Sequence, residues 1–280
     1  MAHPDRFLLA GIMGWPVMHS RSPKLHNHWM AKHGLAGAYV PLAVEPARLG
    51  PALRALPALG FAGCNLTIPH KVAALTLIDS VEPAARRIGA VNTIVVGPDG
   101  HLEGRNTDGT GYIHSILDAA PGWRADAGPI VVLGAGGGAR ALLVSLIDRG
   151  AGEIRLLNRT PERAAALAAE LGRPITPWRW SERGDALAGA TMLINTTSLG
   201  MVGQPGLEIA LDALPASALV SDIVYVPRET PLLEAARLRG NPTVNGLGML
   251  LHQARLAFAA WFAIQPEVTS QLRAEIEATL

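Results

Sequence analysis

The sequence predicts an α/β protein of two domains, and three observations support this fold class. The chain has 280 residues, of which 49% are hydrophobic, so it is long for one domain and can bury a sizeable core. Short apolar runs alternate with segments of helical period along most of its length. Midway, at residues 129–147, an apolar run passes through a glycine-rich turn into an apolar helix.

Composition limits the kinds of partner and the compartment. The net charge of +1 gives no sign of binding to nucleic acid or to an acidic membrane surface. A single cysteine, Cys64, excludes an intramolecular disulfide and suits a reducing cytosol. The apolar stretches are interrupted by charged residues or glycines, and Asp5 disfavours a signal peptide. We therefore expect a cytoplasmic protein.

The N-terminal third alternates strands and helices in order. Strands are predicted over residues 7–14, 38–44, 62–67 and 91–96, and helices over residues 25–33, 46–56, 71–79 and 82–88. Asp99-Gly100 is a strong hairpin signal, so residues 101–105 are predicted to pair back on the preceding strand. A helix over residues 111–119 follows.

Polar residues stand where several of these strands end. Ser20 and Ser22 could bind a small carboxylate, although capping the next helix is the simpler interpretation. Lys71 follows a probable parallel strand, where ligands of α/β sheets collect, and it could carry a proton. An exposed lysine at a helix start is more often only solvated. Thr107 or Asp108 could likewise serve only as a helix cap.

The glycine turn has the order of a dinucleotide-binding unit. A buried strand over residues 130–133 leads directly to Gly134, which would make the tight turn. Gly136 would let the backbone approach a pyrophosphate, and Ala139 would let the helix pack close to the strand. The helix N-terminus would offer its free N–H groups to the phosphates.

The end of the next strand indicates which dinucleotide is bound. This strand, over residues 153–157, leads into Asn158-Arg159-Thr160, and Asn158 lies 20 residues after Gly138, the usual spacing to the ribose contact. No carboxylate is present there to bind a free 2′-hydroxyl, whereas Arg159 and Arg163 would attract a 2′-phosphate. The sequence thus favours NADP(H) over NAD(H), unless both arginines are merely solvated.

The remaining elements continue the α/β pattern. Helices are predicted over residues 161–171 and 245–264, strands over 191–194 and 219–224, and a final helix from Pro266. The polar turn at residues 195–200 could line a cofactor cleft or be an ordinary turn. Gln253 on the long helix could be a satisfied core residue.

Taken in order, the motifs are far more specific than any one alone. Ser-x-Ser-Pro, Asn-x-Thr-x-Pro-x-Lys, Ala-Val-Asn-Thr and Asn-Thr-Asp-Gly precede Gly-x-Gly-Gly and Asn-Arg-Thr-x-x-Arg. Between Gly14 and Gln253 the chain resembles the shikimate dehydrogenases. The resemblance implies an α/β substrate-binding catalytic domain, residues 1–108 and 247–280, to which the C-terminal helices return. It also implies a Rossmann-like NADP-binding domain, residues 109–246, and NADPH-dependent reduction of 3-dehydroshikimate to shikimate, a step in aromatic amino-acid biosynthesis.

The resemblance also assigns roles to individual residues. The catalytic pair would be Lys71 and Asp108, and the resemblance alone supplies their contact. Substrate contacts would be Ser20, Ser22 and Tyr225 to the carboxylate, and Thr67, Lys71, Asn92, Asp108 and Gln253 around the hydroxyls. Cofactor contacts would be Gly134, Ala135, Gly136, Gly137, Gly138, Asn158, Arg159, Thr160, Arg163, Ile223 and Gly246, with Ile223 against the nicotinamide. No metal site is expected.

Three alternatives remain open. A quinate/shikimate dehydrogenase, or a relative acting on another cyclic hydroxy acid, would share the same scaffold. A catalytically silent NADP-binding sensor would be expected to lack the lysine or the aspartate, and both are present. A methyltransferase also uses a glycine-rich loop, but Arg159 stands where it would need an acidic residue. The expected partner is a small-molecule substrate, and the protein would be a monomer or a homodimer.

Overall fold

The computed structural model describes residues 7–280, which divide into two compact units. The first unit comprises the described residues up to Gly111 together with Leu250–Thr279, and the second unit comprises Tyr112–Met249. Two helices, α4 (Asp108–Ala119) and α8 (Leu247–Phe262), carry the chain from one unit to the other. Assigning substrate binding to one part and cofactor binding to the other stays a prediction.

The first unit is built on a mixed sheet of six strands. Its strands are β1 (Leu8–Gly14), β2 (Gly37–Ala43), β3 (Phe61–Leu66), β4 (Ser80–Val81), β5 (Thr93–Val96) and β6 (Leu102–Arg105). Their order is β2-β1-β3-β5-β6-β4. Strand β1 runs parallel to β2 and β3, whereas β5 is antiparallel to both β3 and β6. The hairpin predicted at Asp99-Gly100 is therefore confirmed.

Helices pack around this sheet through apolar residues. They are α1 (Ser22–Lys32), α2 (Leu49–Ala55), α3 (Pro83–Ile88) and α9 (Ser270–Glu277), with short 3-10 helices at Pro46–Arg48 and Ala73–Thr76. Helix α9 packs against α1. The fully buried Leu49 and Leu53 of α2 pack with Cys64 of β3 and Ile94 of β5 in one core. Cys64 is thus a small, fully buried residue of this core.

The second unit is a doubly wound sheet of six parallel strands. Its strands are β7 (Ile130–Leu133), β8 (Ile154–Leu157), β9 (Ile175–Trp178), β10 (Met192–Asn195), β11 (Leu219–Asp222) and β12 (Thr243–Val244), with helices α5 (Gly137–Asp148), α6 (Pro161–Leu171) and α7 (Pro231–Leu238). Short 3-10 helices lie at Trp180–Glu182 and Asp185–Leu187. The order β12-β11-β10-β7-β8-β9 reverses direction between β7 and β10. Ligands of such sheets bind at this switch point, beyond the carboxyl ends of the strands.

One predicted helix is wrong. Residues 71–79 form only the 3-10 helix Ala73–Thr76, followed by the short strand β4, which pairs with β6. The Lys71 carbonyl accepts the Val91 N–H at 2.8 Å. In a regular α-helix this carbonyl would instead accept the N–H four residues later. Strand β9 and helix α7 were not predicted, and α1 begins three residues earlier than expected. Among residues 7–280, no helix combines the length and the apolar character that crossing a membrane requires.

Candidate active site

Lys71 and Asp108 form an ion pair in the first unit. Lys71 Nζ donates to Asp108 Oδ2 at 2.5 Å, and the two side chains are only 18% and 5% exposed. Lys71 lies just beyond β3, and Asp108 is the first residue of α4, where the helix N-terminus favours a negative charge. Asn106 Oδ1 accepts the Asp108 backbone N–H at 3.0 Å and fixes this helix start. The contact that only the resemblance predicted is thus present.

Asn92 is the second residue that contacts the Asp108 carboxylate. Its Nδ2 donates to Asp108 Oδ1 at 2.8 Å and to Thr107 Oγ1 at 2.9 Å, and it approaches Gln253 Oε1 at 3.4 Å. Helix α8 brings Gln253 this close because position 111 is glycine: a Cβ on Gly111 would lie 2.6 Å from the Gln253 backbone nitrogen. Four predicted site residues, Lys71, Asn92, Asp108 and Gln253, therefore lie in one polar cluster.

Of the two predicted serines, Ser20 lies in the loop between β1 and α1, and Ser22 is the first residue of α1. The capping interpretation is wrong: α1 is preceded by Arg21 at its N-cap and has no side-chain cap. Ser20 Oγ instead accepts the Ser22 N–H at 3.2 Å. The Arg21 guanidinium donates from Nε and Nη2 to the Thr279 carbonyl at 2.9 and 2.6 Å. The C-terminal segment therefore holds Arg21, which lies between the two serines.

Thr67 follows β3 and lies beside the end of β1. Its backbone N–H donates to the Met13 carbonyl at 2.9 Å. A Cβ on Gly14 would lie 2.4 Å from Thr67 Cγ2, so only glycine permits this approach. Thr67 is partly exposed, and it stands two residues after the buried Asn65 of the same motif.

Three hydrogen-bonding residues of this region were missed by sequence reasoning: Tyr39, Asn65 and Thr93. Asn65 and Thr93 stand in motifs that were recognised, but neither was given a role. Tyr39 carried no local signal, because tyrosine is common in strands. The available signal was Asn65, a polar amide within the otherwise apolar β3.

The glycine turn of the second unit follows β7. Gly134 has φ +109°, and a Cβ there would lie 2.5 Å from Thr196 Oγ1, so both conformation and space require glycine. Gly136 differs, because it is extended and a Cβ there would meet nothing within 4 Å. Ala139 is fully buried, as close helix packing requires. The backbone at Gly136 is open at the N-terminus of α5, and binding of a diphosphate there stays a prediction.

The residues after β8 leave two cations exposed. Asn158 Nδ2 donates to the Thr160 carbonyl at 2.9 Å, which closes the turn before α6. Arg159 and Arg163 are exposed. Within residues 7–280, neither guanidinium makes a hydrogen bond or an ion pair. Two unpaired guanidinium groups at a strand end are suited to bind a phosphate.

A buried carboxylate, Asp222, organises the loops after β10 and β11. Asp222 accepts hydrogen bonds from the Val224 N–H and from Asn195 Nδ2, both at 3.0 Å, and from Thr230 Oγ1 at 2.8 Å. Burial raises the pKa of Asp222 to about 6, although the hydrogen bonds act in the opposite direction. The loop so anchored carries Tyr225, whose contact with a substrate carboxylate stays a prediction.

Ile223 and Gly246 come together beside the glycine turn. A Cβ on Gly246 would lie 2.0 Å from the Ile223 carbonyl oxygen, so this approach requires glycine. A Cβ on Gly138 would meet Ile223 Cδ1 at an ordinary contact distance of 3.5 Å. Three of the predicted cofactor contacts are thus neighbours within the second unit.

The sequence of this chain matches two family models and several known proteins. The family model described as the shikimate dehydrogenase substrate binding domain matches residues 12–94, and that described as shikimate / quinate 5-dehydrogenase matches residues 122–230. The shikimate dehydrogenase (NADP(+)) of Paramagnetospirillum magneticum is 56% identical over 95% of this chain and 96% of the relative. That of Rhodospirillum rubrum is 57% identical over 96% of each chain.

This chain belongs to the shikimate dehydrogenase family. Among solved structures, the shikimate 5-dehydrogenase of Thermus thermophilus in complex with NADP(H) and shikimate has a TM-score of 0.87 at 35% identity, over 98% of this chain and all of the other (100%). The quinate dehydrogenase of Corynebacterium glutamicum in complex with NAD has a TM-score of 0.89 at 33% identity, over 98% and 99%. The family, the α/β fold and its Rossmann-like part, predicted from the motifs, are confirmed.

Proposed function

We propose that this chain catalyses the reversible, NADP(H)-dependent reduction of 3-dehydroshikimate to shikimate, the shikimate pathway step of its relatives. One observation supports this most strongly: Lys71 and Asp108, far apart in sequence, form a nearly buried ion pair in a chain of this family. A silent sensor would have no need to keep such a pair together. The names of the relatives support the same substrate and cofactor.

The chemistry required is the reduction of a ketone. A hydride supplied by bound NADPH would reach the carbonyl carbon, and negative charge would grow on the oxygen. The Lys71 ammonium is suited to stabilise that charge and to give the oxygen its proton. Asp108 orients the ammonium through Oδ2, while Asn92 holds Oδ1. The side chains of this chain thus position the proton donor.

Substrate recognition would rest on residues around this pair. Thr67, Asn92 and Gln253 are assigned to the ring hydroxyls. Asn92 contacts both Asp108 and Gln253, and Thr67 precedes Lys71 by four residues in the sequence. Ser20 and Ser22 are assigned to the carboxylate because they flank Arg21, whose guanidinium is held by the Thr279 carbonyl at the start of α1. The serine hydroxyls and the ammonium suit an acidic, hydroxylated substrate.

Cofactor choice would rest on the second unit. The pyrophosphate would lie beside Gly136 at the N-terminus of α5, and Arg159 with Arg163 would bind the ribose 2′-phosphate. Because no carboxylate occupies positions 158–160, the chain lacks the group that commonly binds the free ribose of NAD. We assign the protein to the cytoplasm on its single cysteine, and we expect a monomer or homodimer.

The direct test is the consumption of NADPH with 3-dehydroshikimate as substrate, followed by absorbance. We expect a rate that depends on both compounds and reverses with shikimate and NADP+. Rates with quinate and with NAD+ should be measured alongside, because the second family model and the quinate dehydrogenase neighbour make quinate the principal alternative. A higher kcat/KM for quinate would assign the alternative substrate, and no turnover of either acid would refute the proposal.

A further inference from the structure

The Asn92 amide has one orientation, which the backbone fixes. Its Oδ1 accepts the Thr107 N–H at 2.9 Å, and a backbone N–H can only donate. Nδ2 must therefore be the side that faces Asp108, and it donates to Oδ1 of the carboxylate at 2.8 Å. Any group that holds Asn92 Oδ1 in place acts on the hydrogen bond to Asp108.

The Thr93 hydroxyl is such a group. Thr93 is fully buried, and its Oγ1 donates to Asn92 Oδ1 at 2.9 Å. A hydroxyl has a single hydrogen, so Thr93 Oγ1 must meet its other neighbour as an acceptor. That neighbour is Asn65 Nδ2, at 3.1 Å.

The direction of the Asn65 amide is fixed in the same way. Asn65 Nδ2 also donates to the Asn92 backbone carbonyl at 3.1 Å, and a carbonyl can only accept. Asn65 Oδ1 is therefore an acceptor, and it receives the Tyr39 hydroxyl at 2.7 Å. The hydrogen bonds run one way, from Tyr39 through Asn65 and Thr93 to Asn92.

Tyr39 is held firmly at the start of this chain of hydrogen bonds. Its ring stacks on the His26 ring at a centroid distance of 4.1 Å, and its backbone exchanges two hydrogen bonds with the Asn27 side chain. Burial raises the pKa of Tyr39 well above its usual range, so its hydroxyl keeps the hydrogen that it donates. The four polar residues from Tyr39 to Asn92 are all less than 5% exposed.

We propose that the hydroxyls of Tyr39 and Thr93 are positioning groups for the reaction. Thr93 acts on the Asp108 carboxylate through Asn92. Tyr39 acts through Asn65 and Thr93 on the same Asn92 amide. Neither hydroxyl contacts Lys71 or Asp108 directly. Removing one leaves a buried amide partly unsatisfied and frees Asn92 to move. The inference rests on the proposed function, because its readout is turnover of shikimate.

The test uses variants that differ by single atoms or groups. Thr93→Val keeps the shape and removes the hydroxyl, Thr93→Ser keeps the hydroxyl, and Tyr39→Phe keeps the ring over His26. Steady-state kcat and both KM values are measured with shikimate and NADP+, per folded molecule counted by NADPH titration. Thermal unfolding is followed in parallel.

We expect Thr93→Val and Tyr39→Phe to lower kcat about tenfold, while KM for NADP+ stays close to its wild-type value. Thr93→Ser should retain most of the turnover. The double variant should lose less than the product of the two single losses, since both hydroxyls act on Asp108 through Asn92.

Two results would overturn the inference while leaving the proposed function intact. One is wild-type kcat in Thr93→Val and Tyr39→Phe, with only a lower unfolding temperature. The other is an equal loss in Thr93→Ser and Thr93→Val, because the hydroxyl would then not be the acting group. If the wild-type protein does not turn over shikimate, both the proposed function and this inference are refuted. Wild-type activity is therefore measured before any variant is made.

Discussion

The proposed reacting groups of the first unit are hydrogen-bonded to one another and largely buried. The proposed cofactor contacts of the second unit are instead an open glycine backbone and exposed arginines. Lys71, Asn92 and Asp108 are joined by hydrogen bonds and are largely buried. Arg159 and Arg163 are exposed, and among the described residues their guanidinium groups bind nothing.

This difference follows from the cost of burying charge. A buried ammonium or carboxylate must be paired, since an isolated one is strongly destabilising. An exposed arginine without an ion-pair partner costs the folded state little stability, because water solvates its charge. An ion pair within the protein would compete with a phosphate ligand for the guanidinium. Substitutions at Lys71, Asn92 or Asp108 should therefore lower kcat. Substitutions at Arg159 and Arg163 should instead raise the KM for the cofactor.

The largest effect is expected for Asp108→Asn. Asparagine keeps the shape but removes the charge that orients Lys71, so kcat should fall about 100- to 1000-fold, with a much smaller change in KM for NADP+. Initial rates at saturating shikimate and NADP+ measure this. A fall in cofactor affinity with unchanged kcat would break the comparison.

The double variant Arg159→Ala/Arg163→Ala should show the opposite signature. Loss of charge-assisted bonds to the 2′-phosphate should raise KM for NADP+ about 10- to 100-fold and leave kcat and KM for NAD+ nearly unchanged. Arg149→Ala is the matched control, because Arg149 is exposed at the opposite end of α5 from the glycine turn. An equal effect on both cofactors would remove the 2′-phosphate assignment.

Two glycines of one turn should respond differently to alanine. Gly136→Ala should leave thermal stability unchanged, because its Cβ has open space, yet raise KM for NADP+ about tenfold by filling the place of the pyrophosphate. Gly134→Ala should lower the free energy of unfolding by about 1–3 kcal/mol or more, given φ +109° and the clash with Thr196. Paired melting curves and kinetics distinguish them, and a destabilised Gly136→Ala with normal KM would contradict the pyrophosphate position.

A further effect concerns Asp222 and is seen as a pH dependence of stability. Burial raises the pKa of Asp222 to about 6, so the folded state binds this proton more tightly than the unfolded chain. The free energy of unfolding therefore falls as pH rises through about 6. Asp222→Asn does not titrate, so it should gain about 2–3 kcal/mol relative to wild type between about pH 4 and about pH 7. Denaturant titrations across this range measure the difference, and a pH-independent difference would show that the Asp222 pKa is not raised.

Local patterns predicted two elements of the second unit to the residue, but missed β9 and α7. Strand β7 and helix α6 have the predicted bounds, since a continuous apolar run before glycine and a Thr-Pro helix start are local signals. The helix over residues 71–79 was wrong because Val91, distant in sequence, takes the Lys71 carbonyl. Likewise the spacing of Lys71 and Asp108 in the sequence does not predict that they form an ion pair. Only the resemblance to the family predicted that contact.

The hydroxyls of Tyr39 and Thr93 show a second limit. Tyrosine and threonine suit a strand whatever their side chains contact, so their local pattern is that of ordinary strand residues. Their partners lie on other strands or on the preceding residue, and only the sheet order β2-β1-β3-β5 brings them together.

Lys71→Met gives the most direct test of the account, measured as kcat for shikimate oxidation with saturating NADP+ and as shikimate affinity in the same protein. Methionine keeps much of the lysine stem and removes the ammonium. The account predicts a fall in kcat of at least about 100-fold with a far smaller loss of shikimate binding, because the ammonium acts on charge that develops during the reaction. A variant that keeps near-normal kcat would contradict the central role of the Lys71–Asp108 pair.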